Sequence, residues 1–159
     1  MEKELEAIQF RFANILIISK SVNELTVIPQ GNDIRNLNIN FTIDVENKVQ
    51  VNINTIIVNV HVTIQNIETS EKLAEFNISH FFEIIDFDKH IKLNEEGLFV
   101  IPQYLENIIK PVSISTARGI IYSELRGTYL QFSIMPVVFM TDFEPKKPEV
   151  KDISEKKTL

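Results

Sequence analysis

Two Arg-Gly pairs, Arg118-Gly119 and Arg126-Gly127, stand eight residues apart in a chain with only four glycines. Arg-Gly repeats suggest phosphate or nucleic-acid chemistry, because a guanidinium fork grips phosphate oxygens bidentately. The charge balance opposes that use. The chain carries 16 Lys and Arg against 22 Asp and Glu, a formal net charge of −6, the reverse of a surface that gathers phosphates. Nucleic acid is not an expected partner.

Other reactive constellations are equally absent from the sequence. His61 falls on the polar side of a strand pattern and His80 on the apolar side, so a metal site across them lacks both geometry and a third ligand. There is no cysteine, which removes disulfides, thiolate metal sites and cysteine nucleophiles together and suits a reducing compartment. No Ser-His-acid arrangement, Walker loop or dinucleotide glycine pattern occurs. The acidic residues form no in-phase pair on one element that could share general acid/base work. A non-enzyme without metal or cofactor is expected.

What the chain has in excess is apolar surface. It holds 11 Phe and 3 Tyr but no Trp, and 44% of its residues are hydrophobic. At 159 residues it suits one domain, which buries roughly 68–70% of its unfolded surface without covalent staples. The N-terminus, "MEKELEAIQF", has no apolar core of a secretory signal. No stretch approaches the ~20 apolar residues of a membrane helix. A cytoplasmic protein with no membrane insertion is expected, and the sequons at Asn40-Phe41-Thr42 and Asn77-Ile78-Ser79 read as chance.

The elements that must position this surface show in the periodicity. Residues 37–45, "LNINFTIDV", alternate strictly and predict a strand with one buried face. The pattern returns at 49–67, where the apolar positions switch from odd to even; a bulge or bend at Thr55 to Ile57 accounts for that slip. "ETSEK" at 68–72 is a polar hairpin break. The next strand, 73–87, holds Ala74, Phe76, Ile78, Phe82 and Ile84 in phase. An N-terminal strand begins in "IQFRFANILIIS" and continues through Leu25 and Val27. The expectation is a long four-stranded antiparallel meander. Phe81 and Phe82 then point to opposite faces, and Phe81, Ile85 and Phe87 lie open unless something covers them.

The period changes after residue 100. Pro102 suits a first helical position, and Tyr104, Leu105, Ile108 and Ile109 share a side. Pro111 is expected to end that short helix. A main helix starts from Ser113 as N-cap and carries Ile114, Ala117, Ile121 and Leu125 at spacings of three and four. Arg126 falls in its last turn and Gly127 at the left-handed C′ position. Gly119 costs about 1 kcal/mol in mid-helix, which suggests close approach to another backbone. The second Arg-Gly is thus read as a helix stop, and the helix lies on the sheet. "YLQFSIMPVVF" returns to extended chain, and residues 142–159, with Pro145 and Pro148, read as a charged, disordered tail. The domain is 1–141.

The order of elements resembles the SecB export-chaperone family, an α+β fold of four antiparallel strands, a proline-containing crossover and a helix. Thr116-Ala117-Arg118 fits the family's Tyr-Ala-Arg at the helix start, and Arg126-Gly127-Thr128 fits its Arg-Gly-Thr end. Met135-Pro136-Val137-Val138-Phe139 is similar to its Pro-Val-Asn-Phe, and "ENIIKP" to its Asn-Ile-Leu-Phe-Pro. Residues 8 to 143 can be laid along the plan. The resemblance implies a homotetramer, a dimer of dimers, that holds non-native polypeptides in apolar grooves without nucleotide or metal. The groove residues it suggests are Phe81, Phe82, Phe87, Phe99, Ile101, Tyr104 and Tyr122. It also implies docking of the translocase ATPase SecA on an acidic sheet face, where Leu73 and Glu75 fit one Leu-x-Glu piece. The chain departs from that pattern: its polar faces are mostly neutral, with Asn38, Asn40, Asn59, His61, Thr63, Gln65 and Asn77, and the charged tail replaces a terminal helix. A client-specific chaperone, for example of an antitoxin, or an adaptor for one folded partner stays open beside export.

Overall fold

A computed structural model describes residues 8–25 and 37–138. Val27, Phe139 and the expected tail lie outside them. Four long strands, β1 (Phe10–Val22), β2 (Ile39–Gln50), β3 (Thr55–Asn66) and β4 (Lys72–Ile84), form one antiparallel sheet. A crossover follows with a one-turn helix α1 (Phe87–His90) and a two-stranded hairpin, β5 (Lys92–Leu93) and β6 (Phe99–Val100). The main helix α2 (Gln103–Glu124) then packs on β3 and β4. The α+β class and the four-stranded antiparallel sheet are as expected.

The strand order is β1-β4-β3-β2, so the sheet is not a plain meander. β2, β3 and β4 follow one another, whereas β1 pairs with β4 on the far side. The slip of phase after residue 49 is neither a bulge nor a bend within one strand at Thr55 to Ile57, but a full reversal of the chain just before it. β2 runs on to Gln50, a turn of 3₁₀ helix spans Val51–Ile53, and Asn54 takes φ 51°. The chain therefore reverses there without glycine or proline, because asparagine tolerates the left-handed region. The bulges lie elsewhere. β1 shifts register between Phe12 and Asn14 and again between Ile17 and Ser19. Each extra residue restores the apolar phase, so that Phe12, Ile15, Ile17 and Val22 all sit opposite even-numbered residues of β4.

One face of the sheet is the core. Ile56, Val58, Val60, Val62 and Ile64 of β3 and Ala74, Phe76, Ile78 and Phe82 of β4 are fully buried there. They pack under Leu105, Ile109, Ala117 and Ile121 of α2. Pro111 does not end a helix: α2 is one continuous helix through it. Pro111 withholds only the N–H owed to Asn107, and the buried turn around it outweighs the loss of about 3 kcal/mol in propensity. Ser113 is no N-cap but a buried mid-helix residue whose hydroxyl donates to the Ile109 carbonyl at 2.8 Å. Gly127 has φ +81°, in the turn just past the C-cap Leu125, one place beyond the position expected. The chain turns through residue 132, residues 133–138 belong to no helix or strand, and the segment anchors Leu130 and Met135 in the core.

Candidate functional site

The helix crosses the sheet diagonally. Near its start, Glu106 accepts a hydrogen bond from Asn47 of β2 at 2.6 Å; at its end, Glu124 pairs with Lys20 of β1. Asn47 sits in the cross-strand row of Val58 and His80, and Lys20 in the row of Val62 and Phe76. The helix thus moves from one edge strand to the other while descending four residues. Two opposite corners of the apolar face escape it.

The first corner is the start of β2. Leu37, Ile39 and Phe41 form one wall there, and Tyr129, Phe132, Ile134 and Pro136 form the other, around a cleft of about 530 Å³. The far wall is tied down by Tyr129, whose hydroxyl donates to the Asn23 carbonyl at 2.7 Å. Burial and Glu71 push that phenol above its usual pKa. The second corner is the start of β1. Phe12 and Phe10 meet Phe82 edge-on, with centroids 4.9 and 6.0 Å apart, and Phe12 also touches the His80 ring.

The crossover hairpin adds a third apolar surface. Its turn is held by Asn94, whose side-chain oxygen accepts from Glu96 and Leu98 N–H at 3.0 and 2.8 Å, and by Gly97 at φ +76°. That rigid turn holds Leu93, Leu98, Phe99 and Val100 in solvent, next to Ile101 and Tyr104 at the start of α2.

The sequence-suggested site residues divide accordingly. Phe99 and Tyr104, 38% and 41% exposed, and half-buried Ile101 form one surface. Tyr122 is exposed too, but lies about 27 Å further along the helix. Phe81 is half-buried on the opposite face of the sheet, paired with Ile57. Phe82 and Phe87 offer no surface within the chain: they are core side chains, because strand phase turns Phe82 to the apolar face and the turn at Asp86 carries Phe87 into the same cluster. The cleft residues Phe41, Phe132 and Ile134 are not among the groove residues that the resemblance suggests. Only their apolar character hinted at them, since the cleft exists through the diagonal of α2.

The opposite face of the sheet is open and polar. Leu73, read as part of a docking surface there, is fully buried. Glu75 does lie on that face, where its carboxylate accepts from Lys72 Nζ at 2.6 Å and pairs with His61 Nε2 at 2.8 Å. These hydrogen bonds, Lys72 foremost, hold its pKa below the usual carboxylate value. The face carries Asp44, Glu46, Glu75 and Glu83 against Arg11, Lys48 and Lys72, close to balance. Gly119 is exposed, with open space where a Cβ would stand, so it makes no close approach within the chain. Among the described residues no group of three or more His, Asp or Glu could hold a metal ion. No helix there is long and apolar enough to cross a membrane.

No protein-family model matches the chain, and no curated protein matches it in sequence. Its structure is similar to that of the SecB-like chaperone Rv1957 of Mycobacterium tuberculosis, solved in complex with a ChAD peptide from the HigA1 antitoxin. The TM-score is 0.55 at 13% identity, over 81% of this chain and 90% of the other. The strand order, the crossover and the single long helix on one face give this chain the SecB-like fold.

Proposed function

We propose that this protein is an ATP-independent holding chaperone that binds non-native polypeptides along its exposed apolar surfaces. The observation that carries the reading is the run of Leu93, Leu98, Phe99, Val100 and Tyr104, held in water by a rigid hairpin beside a core that is already complete. Such contiguous patches mark partner surfaces. Burying them yields about 25 cal/mol per Å² whatever the sequence of the guest. Phe99, Ile101 and Tyr104 are the first client contacts, and the cleft at the start of β2 is the second.

The protein is read as a cytoplasmic, client-specific chaperone rather than an export factor. The Mycobacterium chaperone of the same fold was solved with an antitoxin peptide, and an antitoxin-like segment is the client class we favour. Docking of SecA is disfavoured, since Leu73 is buried and the open face is nearly charge-balanced. Assembly is read as a homotetramer. Tyr104, Ile108, Val112, Ser115, Gly119 and Tyr122 recur every three or four residues on the outer side of α2, all exposed. Helices pack through such a stripe, and a glycine in it lets a second backbone come close.

The test is refolding of an unrelated, chemically unfolded enzyme without ATP. The protein at stoichiometric excess slows recovery, and the F99S/Y104S double variant slows it less. No delay at excess refutes the reading. Light scattering checks the assembly, which has four times the 18.4 kDa of the chain.

A further inference from the structure

We propose that the outer edge of β2, which pairs with no strand among the described residues, is itself a client-binding element: a guest segment adds there as a fifth strand, antiparallel to β2, with apolar side chains on the helix side alternating with cationic ones on the open side. This rests on the chaperone reading above and specifies how that site grips its guest.

Hydrogen-bond parity carries the inference. The Ile67 N–H donates to the Asn38 carbonyl at 2.9 Å, which makes Asn38 and Ile67 a hydrogen-bonded pair. In an antiparallel ladder such pairs alternate with non-bonded ones. The β2–β3 register runs unbroken from Ile39 opposite Asn66 to Gln50 opposite Thr55. Asn40, Thr42, Asp44 and Glu46 therefore turn their backbone groups to β3. Ile39, Phe41, Ile43 and Val45 aim theirs away from the sheet, where β2 is the last strand in the order.

The other edge is built differently. β1 carries two register shifts, and bulges of this kind interrupt the row of outward groups and blunt an edge against pairing. β2 has none. The cleft of about 530 Å³ lies against this straight edge, because residues of both faces line it: Ile39 and Phe41 from the helix side, Asn40 from the open side. Its size falls within the roughly 300–1,000 Å³ usual for binding sites. Phe132, Ile134 and Pro136 close it from outside the sheet.

Charge supplies the second half of the guest's pattern. Residues directly opposite each other share a face, so a guest residue facing Ile43 points to the helix side and its neighbours point to Asp44 and the open side. Asp44 and Glu46 are exposed there. Asp44 has His61 at 4.0 Å, Glu46 has no ion-pair partner among the described residues, and Lys48 lies beyond both. A Lys or Arg at alternate guest positions answers these carboxylates. The edge thus selects an extended backbone first and an alternating apolar–basic pattern second.

The test uses the full chain and two probes: reduced, alkylated lactalbumin, which stays unfolded, and a ten-residue peptide alternating Val with Lys. Amide hydrogen exchange is followed by NMR. Saturation with either probe slows the amides of Ile39, Phe41, Ile43 and Val45 at least tenfold and leaves Asn40, Thr42, Asp44 and Glu46 unchanged. Peptides N-methylated on one alternate set of residues bind at least tenfold more weakly, and those methylated on the other set bind within twofold. The D44K/E46K variant loses at least fivefold for the lysine peptide and gains for its glutamate counterpart. A lactalbumin that is held without this period of two overturns edge pairing and leaves the chaperone reading standing. Odd-numbered amides already protected in the free protein overturn it too. Failure to hold lactalbumin at all removes both readings.

Discussion

Replacing His80 with Leu is expected to raise stability at neutral pH and to flatten its decline in mild acid. His80 is fully buried in β4. Its Nδ1–H donates to the Val58 carbonyl at 3.2 Å, which leaves Nε2 as a buried acceptor with no partner. An unpaired buried polar atom costs about 1–3 kcal/mol, and the surrendered hydrogen bond contributes about 1. The balance is a gain of about 1 kcal/mol, or about 2–4 °C in Tm for a chain of this length. Burial also holds the imidazole below its ordinary pKa of 6.5. The unfolded chain therefore takes up the proton first, and stability falls as pH drops below 6.5 toward the folded value. Down to pH 5.0 the loss has a ceiling of about 2 kcal/mol, set by the unfolded pKa alone. Glu75 works at lower pH: its carboxyl is held below 4.5, so its contribution is intact across this window and is lost only in stronger acid. Urea unfolding followed by circular dichroism at pH 7.5, 6.0 and 5.0 reads both effects. Parallel decline of wild type and H80L, or a less stable variant at pH 7.5, would refute the account of this histidine.

Five further substitutions test the packing and the site. Phe82→Ala is expected to cost about 3–5 kcal/mol in urea unfolding, as a core deletion does, whereas Phe99→Ala shifts stability by about 0.5 kcal/mol or less and weakens holding in the refolding assay. Pro111→Ala should raise the calorimetric Tm, since it restores a hydrogen bond to the Asn107 carbonyl worth about 1 kcal/mol; a lower Tm would refute that account. Gly127→Ala, forced to φ +81°, should lose about 1–2 kcal/mol in the same scan. Tyr129→Phe removes the bond to Asn23 that braces the outer wall of the cleft and should cost about 1 kcal/mol by urea unfolding.

The legible parts of the molecule were those where one element's own period reports its environment. The even-numbered positions of β4 from Ala74 to Ile84 read as buried and are. His61 reads as polar-face and His80 as apolar-face, and both sit so. Errors arose where two causes leave the same local trace. A phase slip at residues 50–55 fits a bulge or a reversal, and only pairing of β2 with β3 along its whole length distinguishes them. Pro111 reads as a helix end because propensity counts its missing N–H, not the buried side chains on either side. Among the site residues, Phe99 and Tyr104 stood out and are exposed, while Phe82 and Phe87 looked the same in sequence and are core. An aromatic side chain in an apolar run carries no mark of which layer will cover it.

By itself, then, the amino-acid order determined that this chain makes half-buried strands and an amphipathic helix, because these properties reside in neighbouring residues. The placement of β1 beside β4, the diagonal of α2, the two uncovered corners and the cleft at the β2 edge were decided only in three dimensions. They depend on how the side chains of all the elements pack at once. No single segment's periodicity contains the angle at which another will cross it.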